Sequence, residues 1–139
     1  MTVVVGVDGS DISQRVVRRA IEEAGRRSTD LHVVHVFHPR MLGVAEVAYD
    51  WSSLAAAERR AVWDSVDGVM SRAAVPIETV DLEGYPPDTL VDYCDNVSAE
   101  LLVLGTRGRG ELASLIMGST SHRAAQLARC DVLIVRPPA

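Results

Sequence analysis

Five strand-like runs, apolar or nearly so in four cases and mixed in Ile77 to Leu82, divide the chain, and the stretches between them carry apolar residues at helical spacing. The first run is Val3-Val4-Val5-Gly6-Val7, rich in β-branched residues. Leu31 to Phe37, Ile77 to Leu82, Leu101 to Leu104 and Val132 to Val135 follow. Val3 to Val7 and Leu101 to Leu104, continuously apolar rather than alternating, predict strands buried on both faces.

Ile12, Val16, Ala20 and Ala24 recur at steps of four, with Arg15, Arg18, Arg19, Glu22 and Glu23 mostly outside that stripe. This predicts an amphipathic helix ending near Gly25, with Ser10 or Asp11 as its cap. A second, longer helix is predicted over Ser53 to Ala74, with Leu54, Ala57, Ala61, Val66, Val69 and Met70 near one face. Pro86 and Pro87 suit the first turn of a third helix, whose apolar face is Leu90, Tyr93, Cys94 and Val97. The last helix is predicted from about Gly118 to Ala128. His38 to Ser53, with Pro39, Gly43, Tyr49 and Trp51, is too long for a tight connection and reads as a functional flap or an insertion.

Strand and helix alternate throughout. The expectation is one α/β domain over residues 1–139. It is a Rossmann-like sandwich with a five-stranded parallel sheet ordered 3-2-1-4-5 and helices on both faces. In such sheets ligands bind beyond the carboxyl ends of the strands, where the strand order reverses. The first and fourth strands would lie side by side there. Asp8-Gly9-Ser10 would then face the glycine-rich turn Gly105 to Gly110 across one crevice.

Composition narrows the function. A net charge of −5 disfavours non-specific binding to nucleic acid or an anionic membrane. No run approaches the ~18 apolar residues of a membrane span. The first residues enter a strand pattern at once, so the expected location is the cytoplasm. Cys94 and Cys130 form no C-x-x-C pair and read as packed thiols in a reducing compartment. His32 and His35 would point to opposite faces of their strand and cannot share an ion simply.

All 14 basic residues are arginine. A P-loop of the Walker type needs a lysine and is therefore excluded. Gly108-Arg109-Gly110-Glu111-Leu112-Ala113 matches the dinucleotide fingerprint G-x-G-x-x-A, but it follows the fourth of five strands. Asp131, the acid at a plausible distance, would begin a strand instead of ending one.

What remains is Gly105-x2-Gly108-x9-Gly118-Ser119. Together with the strand ending in Asp8-Gly9-Ser10, the His35-Val36 strand end, the Gly84 turn and the closing Arg136-Pro137, this resembles the universal stress protein family over almost the whole chain. The spacing is that of the family's ATP-binding G-x2-G-x9-G-[ST] motif.

The resemblance implies an adenine nucleotide in the crevice, usually ATP, with or without Mg. Asp8 would contact the ribose or a metal-bridged phosphate, and Gly6 would leave room beside it. Ser10 belongs to the same strand end. Val36 would lie against adenine. Gly105 and Gly108 would permit close approach to ribose and phosphate, within a loop that includes Thr106 and Gly110. Gly118, Ser119 and Thr120 would hold phosphate oxygens. Arg107 and Arg109 occupy variable positions and would either pair with phosphate or solvate the loop. Asp8 also has the plainer reading of a helix cap.

The last strand would lie at a sheet edge, which invites pairing. The resemblance implies a homodimer through Val132, Leu133, Ile134 and Val135, continuing to Arg136 and Pro137. The implied function is a stress-response protein acting through nucleotide-dependent shape or partner binding, its downstream protein partner left open, with little or no turnover. Slow Mg-dependent hydrolysis, autophosphorylation on Ser119 or Thr120, and binding of AMP or cyclic AMP are the alternatives.

Overall fold

A computed structural model of the chain describes residues 1–38, 51–106 and 117–138, with the side chains of residues 51 and 52 left aside. Its elements run β1 (Thr2–Val7), α1 (Ser13–Arg26), β2 (Asp30–Phe37), α2 (Trp51–Ser71), β3 (Ile77–Glu83), α3 (Pro86–Asn96), β4 (Ala99–Gly105), α4 (Ser119–Leu127) and β5 (Asp131–Val135). The strands form one sheet ordered β3-β2-β1-β4-β5, and every pairing is parallel. This is the expected α/β architecture. β1 is central because it is apolar on both faces: Val3, Val4 and Val5 are fully buried.

Two apolar clusters cover the sheet. Val3, Val5 and Val7 pack with Val16, Val17 and Ala20 of α1 and with Val62 and Val66 of α2. Val4, Leu102 and Leu104 pack on the other face with Leu90, Val91 and Cys94 of α3 and Ala124 of α4. Each large aliphatic side chain fully withdrawn from water contributes roughly 1.5–3 kcal/mol. In β5, Leu133 packs toward the first cluster, while Val132 and Ile134 pack toward the second.

The stripe of α1 is confirmed, with Ile12, Val16, Ala20 and Ala24 all buried. Its predicted cap is not. Ile12 holds the cap position, and no side chain caps the helix. The candidate groups are engaged locally instead. The Asp8 carboxylate accepts the Ser10 N–H at 2.9 Å, and the Ser10 carbonyl accepts the Ser13 N–H at 3.1 Å.

The face of α2 also needs correction. Ala55, Val62 and Val66 are buried, whereas Ala57 and Ala61 are exposed. Alanine carries little burial signal, and the two valines fix which side turns inward. Trp51, expected in the irregular connection, begins the helix. α3 starts as expected, with prolines in its first turn.

Gly84, at φ 149°, turns the chain from β3 into α3, and a Cβ there would stand 2.5 Å from the Thr89 hydroxyl. No described helix is long and apolar enough to cross a membrane.

Candidate functional site

Parallel strands end together. The carboxyl ends of β1, β2 and β4 therefore open onto one space, roofed by the starts of α1, α3 and α4 and by the first half of α2. A cavity of about 260 Å³ occupies it. Gly6, Asp8, Ser10, Val36, Gly105, Ser119 and Thr120 all line this cavity, so seven residues singled out in the sequence converge on one wall. Arg107, Gly108, Arg109 and Gly110 lie outside the described residues, as do residues 39–50 of the irregular connection.

Asp8 sits where β1 stops. Its Oδ1 accepts the Ser10 N–H at 2.9 Å and the Ser13 hydroxyl at 3.5 Å. An Asp that bonds the backbone two residues ahead makes a local turn and fixes its own rotamer. Gly9 follows at φ 79°, a conformation that suits glycine. The chain can thus reverse from strand toward helix while its carboxylate stays at the cavity.

Two glycines prove to be packing residues as well as lining ones. A Cβ on Gly6 would stand 2.8 Å from Leu104 Cδ2 and 3.0 Å from Leu90 Cδ1. One on Gly105 would stand 2.6 Å from Ile12 Cδ1. The room these glycines leave is filled by aliphatic side chains, which bring α3 and α1 close against the strand ends.

Thr106 and Gly118 are both buried and stand behind the cavity wall. The Thr106 N–H donates to the Val135 carbonyl at 2.9 Å, and the Thr106 carbonyl accepts the Gly118 N–H. The buried Ser121 hydroxyl lies 3.0 Å from that same carbonyl and 3.1 Å from the Gly118 carbonyl. These bonds tie the end of β4 to β5 and to the start of α4. They aim the first turn of α4, with Ser119 and Thr120, at the cavity. A helix start of this kind points N–H groups toward an anion.

The strand end that the sequence marks at His35 and Val36 does reach the cavity, and His35 and His38 line it, whereas sequence reasoning missed Glu58, Ser13 and Tyr85, which line it too. His35 is 2% exposed. Its Nε2 faces Glu58 Oε2 at 3.2 Å, and its Nδ1 faces Asp81 Oδ1 at 3.3 Å. Trp63 packs edge-on to the imidazole and donates its indole N–H to Asp81 at 3.1 Å. The position of His35 at a strand end is a usable signal, whereas Glu58 reaches the site only because α2 packs over β2. The prediction that His32 and His35 diverge holds: His32 meets Tyr93 of α3 on the opposite face at 2.7 Å.

The described wall carries two carboxylates, Asp8 and Glu58, and no arginine. No set of three or more metal-ligating side chains occurs among the described residues. The cysteines are free thiols away from this wall, and burial, with Cys130 beside it, pushes Cys94 up to about 12. That thiol stays protonated and behaves as core.

A family model described as universal stress protein family matches residues 1–136. A universal stress protein of Mycobacterium tuberculosis is 34% identical over 136 residues, covering 96% of this chain and 44% of the relative. The chain thus spans less than half the length of that relative. Among solved structures, a universal stress protein in complex with cAMP is 34% identical at a TM-score of 0.69, covering 98% of this chain and 96% of that one. The universal stress protein of Archaeoglobus fulgidus in complex with dAMP is 27% identical at a TM-score of 0.72, with 96% of each chain covered.

Proposed function

Because this chain belongs to the universal stress protein family, we propose that it binds an adenine nucleotide at the carboxyl edge of its sheet and works as a nucleotide-dependent regulatory protein. The observation that carries this reading is convergence. Asp8, Val36, Gly105, Ser119 and Thr120, from four separate elements or their ends, share one cavity. An apolar region for a base, a carboxylate for ribose hydroxyls and a helix start for phosphate are the three contacts such a ligand needs.

In this reading Val36 lies against adenine and Asp8 meets the ribose. The first turn of α4, with Ser119 and Thr120, takes phosphate, its N–H groups and hydroxyls acting as donors, and Gly118 leads into it from behind the wall. Thr106 supports that turn from behind. ATP is the favoured ligand; Arg107 and Arg109 would supply positive charge for its outer phosphates, and Asp8 would help to hold Mg. When bound, Mg would offset phosphate charge beside that carboxylate. Output comes from shape and partner surface rather than turnover, and the protein works in the cytoplasm.

A second reading is specifically supported. The described wall is acidic and lacks a guanidinium, and two similar structures hold cAMP and dAMP. A single phosphate needs less positive charge than three. AMP or cyclic AMP is therefore the alternative ligand. Denaturing the purified protein and identifying any released small molecule decides the matter. Titration of ligand-free protein with ATP, ADP, AMP and cyclic AMP, with and without Mg, completes the test. Binding of none of them overturns the nucleotide reading.

We also propose a homodimer through β5. That strand lies at the sheet edge, with Val132, Leu133 and Ile134 only partly buried. Arg136 and Pro137 follow directly, and the Arg136 carbonyl is anchored by Arg15 at 2.8 Å. An apolar edge of this sort is completed by a second copy. Sedimentation as a monomer at micromolar concentration overturns it.

A further inference from the structure

The cavity wall is chemically divided. The hydroxyls of Ser119 and Thr120 lie at the α4 side. Val34, Val36 and Leu90 supply aliphatic surface toward β2 and α3, and there the rim is closed by Tyr85 and His38. Among the described residues, Tyr85 is the one Phe, Tyr or Trp on the wall. Trp63 is turned to Asp81 instead, and Phe37 is buried in the core. Tyr85 is 49% exposed. A lone exposed aromatic is ordinary on a protein surface. This one is held in place at the mouth of a cavity.

Two contacts hold it. The His38 ring stands at 68° to the Tyr85 ring, with centroids 5.7 Å apart. The Arg123 guanidinium lies over the ring, 5.9 Å from its centroid. Arg123 is itself fixed by a two-pronged pair with Asp88, at 2.7 and 3.1 Å. Asp88 belongs to the first turn of α3 and Arg123 to α4. A planar side chain latched before binding loses little further freedom when a ligand stacks on it. Tyr85 occupies the position just before α3, so its backbone is set by a rigid element.

We propose that Tyr85 is the stacking platform for the nucleobase and that the Arg123–Asp88 pair is its positioning latch. The assignment rests on the nucleotide reading above and adds a residue to it. The base enters between the aliphatic wall and the aromatic rim, which leaves the phosphates at the hydroxyl-bearing start of α4. His38 closes the edge of the slot.

The test uses the full chain with AMP as the probe. Calorimetric titration of Tyr85→Ala is expected to show roughly tenfold weaker binding, the usual scale for losing one base–aromatic stack. Tyr85→Phe keeps the ring and is expected to bind as the parent does. Arg123→Ala loosens the latch and is expected to cost a few-fold. Nuclear Overhauser contacts between the Tyr85 ring protons and adenine H2 or H8 supply a readout that a merely structural role would not give. Parent protein that binds AMP while Tyr85→Ala binds equally well, or that shows no ring-to-base contact, overturns this assignment alone. Parent protein that binds no adenine nucleotide overturns the nucleotide reading and this assignment with it.

Discussion

His32 and His35 stand three residues apart on β2 and share much of their chemistry. Both rings are nearly buried, at 8% and 2% exposed. Each lies opposite an acid of β3 in the strand register, His32 against Glu78 and His35 against Asp81. Each has a second carboxylate within reach, Asp30 for the first and Glu58 for the second. They differ in what their other neighbours are. The Nδ1 of His32 meets the Tyr93 hydroxyl, which can donate to it, so one ring proton on Nε2 satisfies the whole arrangement. Both nitrogens of His35 face carboxylates, which only accept when ionised, so a hydrogen must lie between each nitrogen and its acid. His35 also lies at the strand end, on the cavity, whereas His32 lies on the other face, against α3. Equal residues on one strand thus become a structural fastening and a wall of the site. The direction of the side chain and its distance from the carboxyl end decide which.

Removing His35 should have the largest effect. His35→Ala takes the imidazole from between Glu58 and Asp81. Losing these hydrogen bonds and the volume of a buried ring costs about 2 kcal/mol, to be read from urea denaturation. The same variant should weaken AMP binding several-fold in titration, because a lining side chain is gone. Unchanged affinity would remove His35 from the site and erase the functional half of the contrast.

His32→Ala should be milder, about 1 kcal/mol for the lost hydrogen bonds at a face that keeps some solvent. Its AMP affinity should match the parent. A fall in affinity equal to that of the His35 variant would mean that both act through global stability alone.

A smaller effect is expected at Asp30. The Thr2 hydroxyl, opposed by partial burial and aided by His32, holds the Asp30 carboxyl below its usual range. A carboxylate with a depressed folded-state value stabilises the fold above its unfolded value of about 3.9. That stabilisation fades as pH falls toward the lower folded value. Asp30→Asn should therefore narrow the difference in melting temperature between pH 6 and pH 3. An unaltered acid limb would show that the Thr2–Asp30–His32 chain carries no linkage.

Much of the molecule is legible in the order of its residues. Val3 to Val7 and Leu101 to Leu104 are apolar without alternation, and only a strand covered on both faces uses such a run. The 3-2-1-4-5 order puts Asp8 and Gly105 on one crevice, and both line the cavity. Less legible are features whose signal is shared or spread. Ala57 and Ala61 keep helical spacing yet face outward, because alanine tolerates either side. Ser10 and Asp11 are favourable cap residues, but the helix begins only at Ser13 and Ile12 takes the cap position. Tyr85 and Glu58 carry no pattern of their own, since each reaches the cavity through the packing of a different helix.

The order of the residues is enough to set the elements, their succession along the chain and the glycine and hydroxyl positions that mark one edge of the sheet. Those follow from local rules: the period of apolar residues, the punctuation by glycine and proline, and the rarity of β-branched runs outside strands. Tertiary structure alone decided which acid each histidine meets, why Gly6 and Gly105 must lack a side chain, and which aromatic stands at the cavity mouth. Those depend on β2–β3 register and on how α1, α2, α3 and α4 seat against the sheet. Register and seating are properties of pairs of elements, fixed by packing that no single stretch of sequence contains.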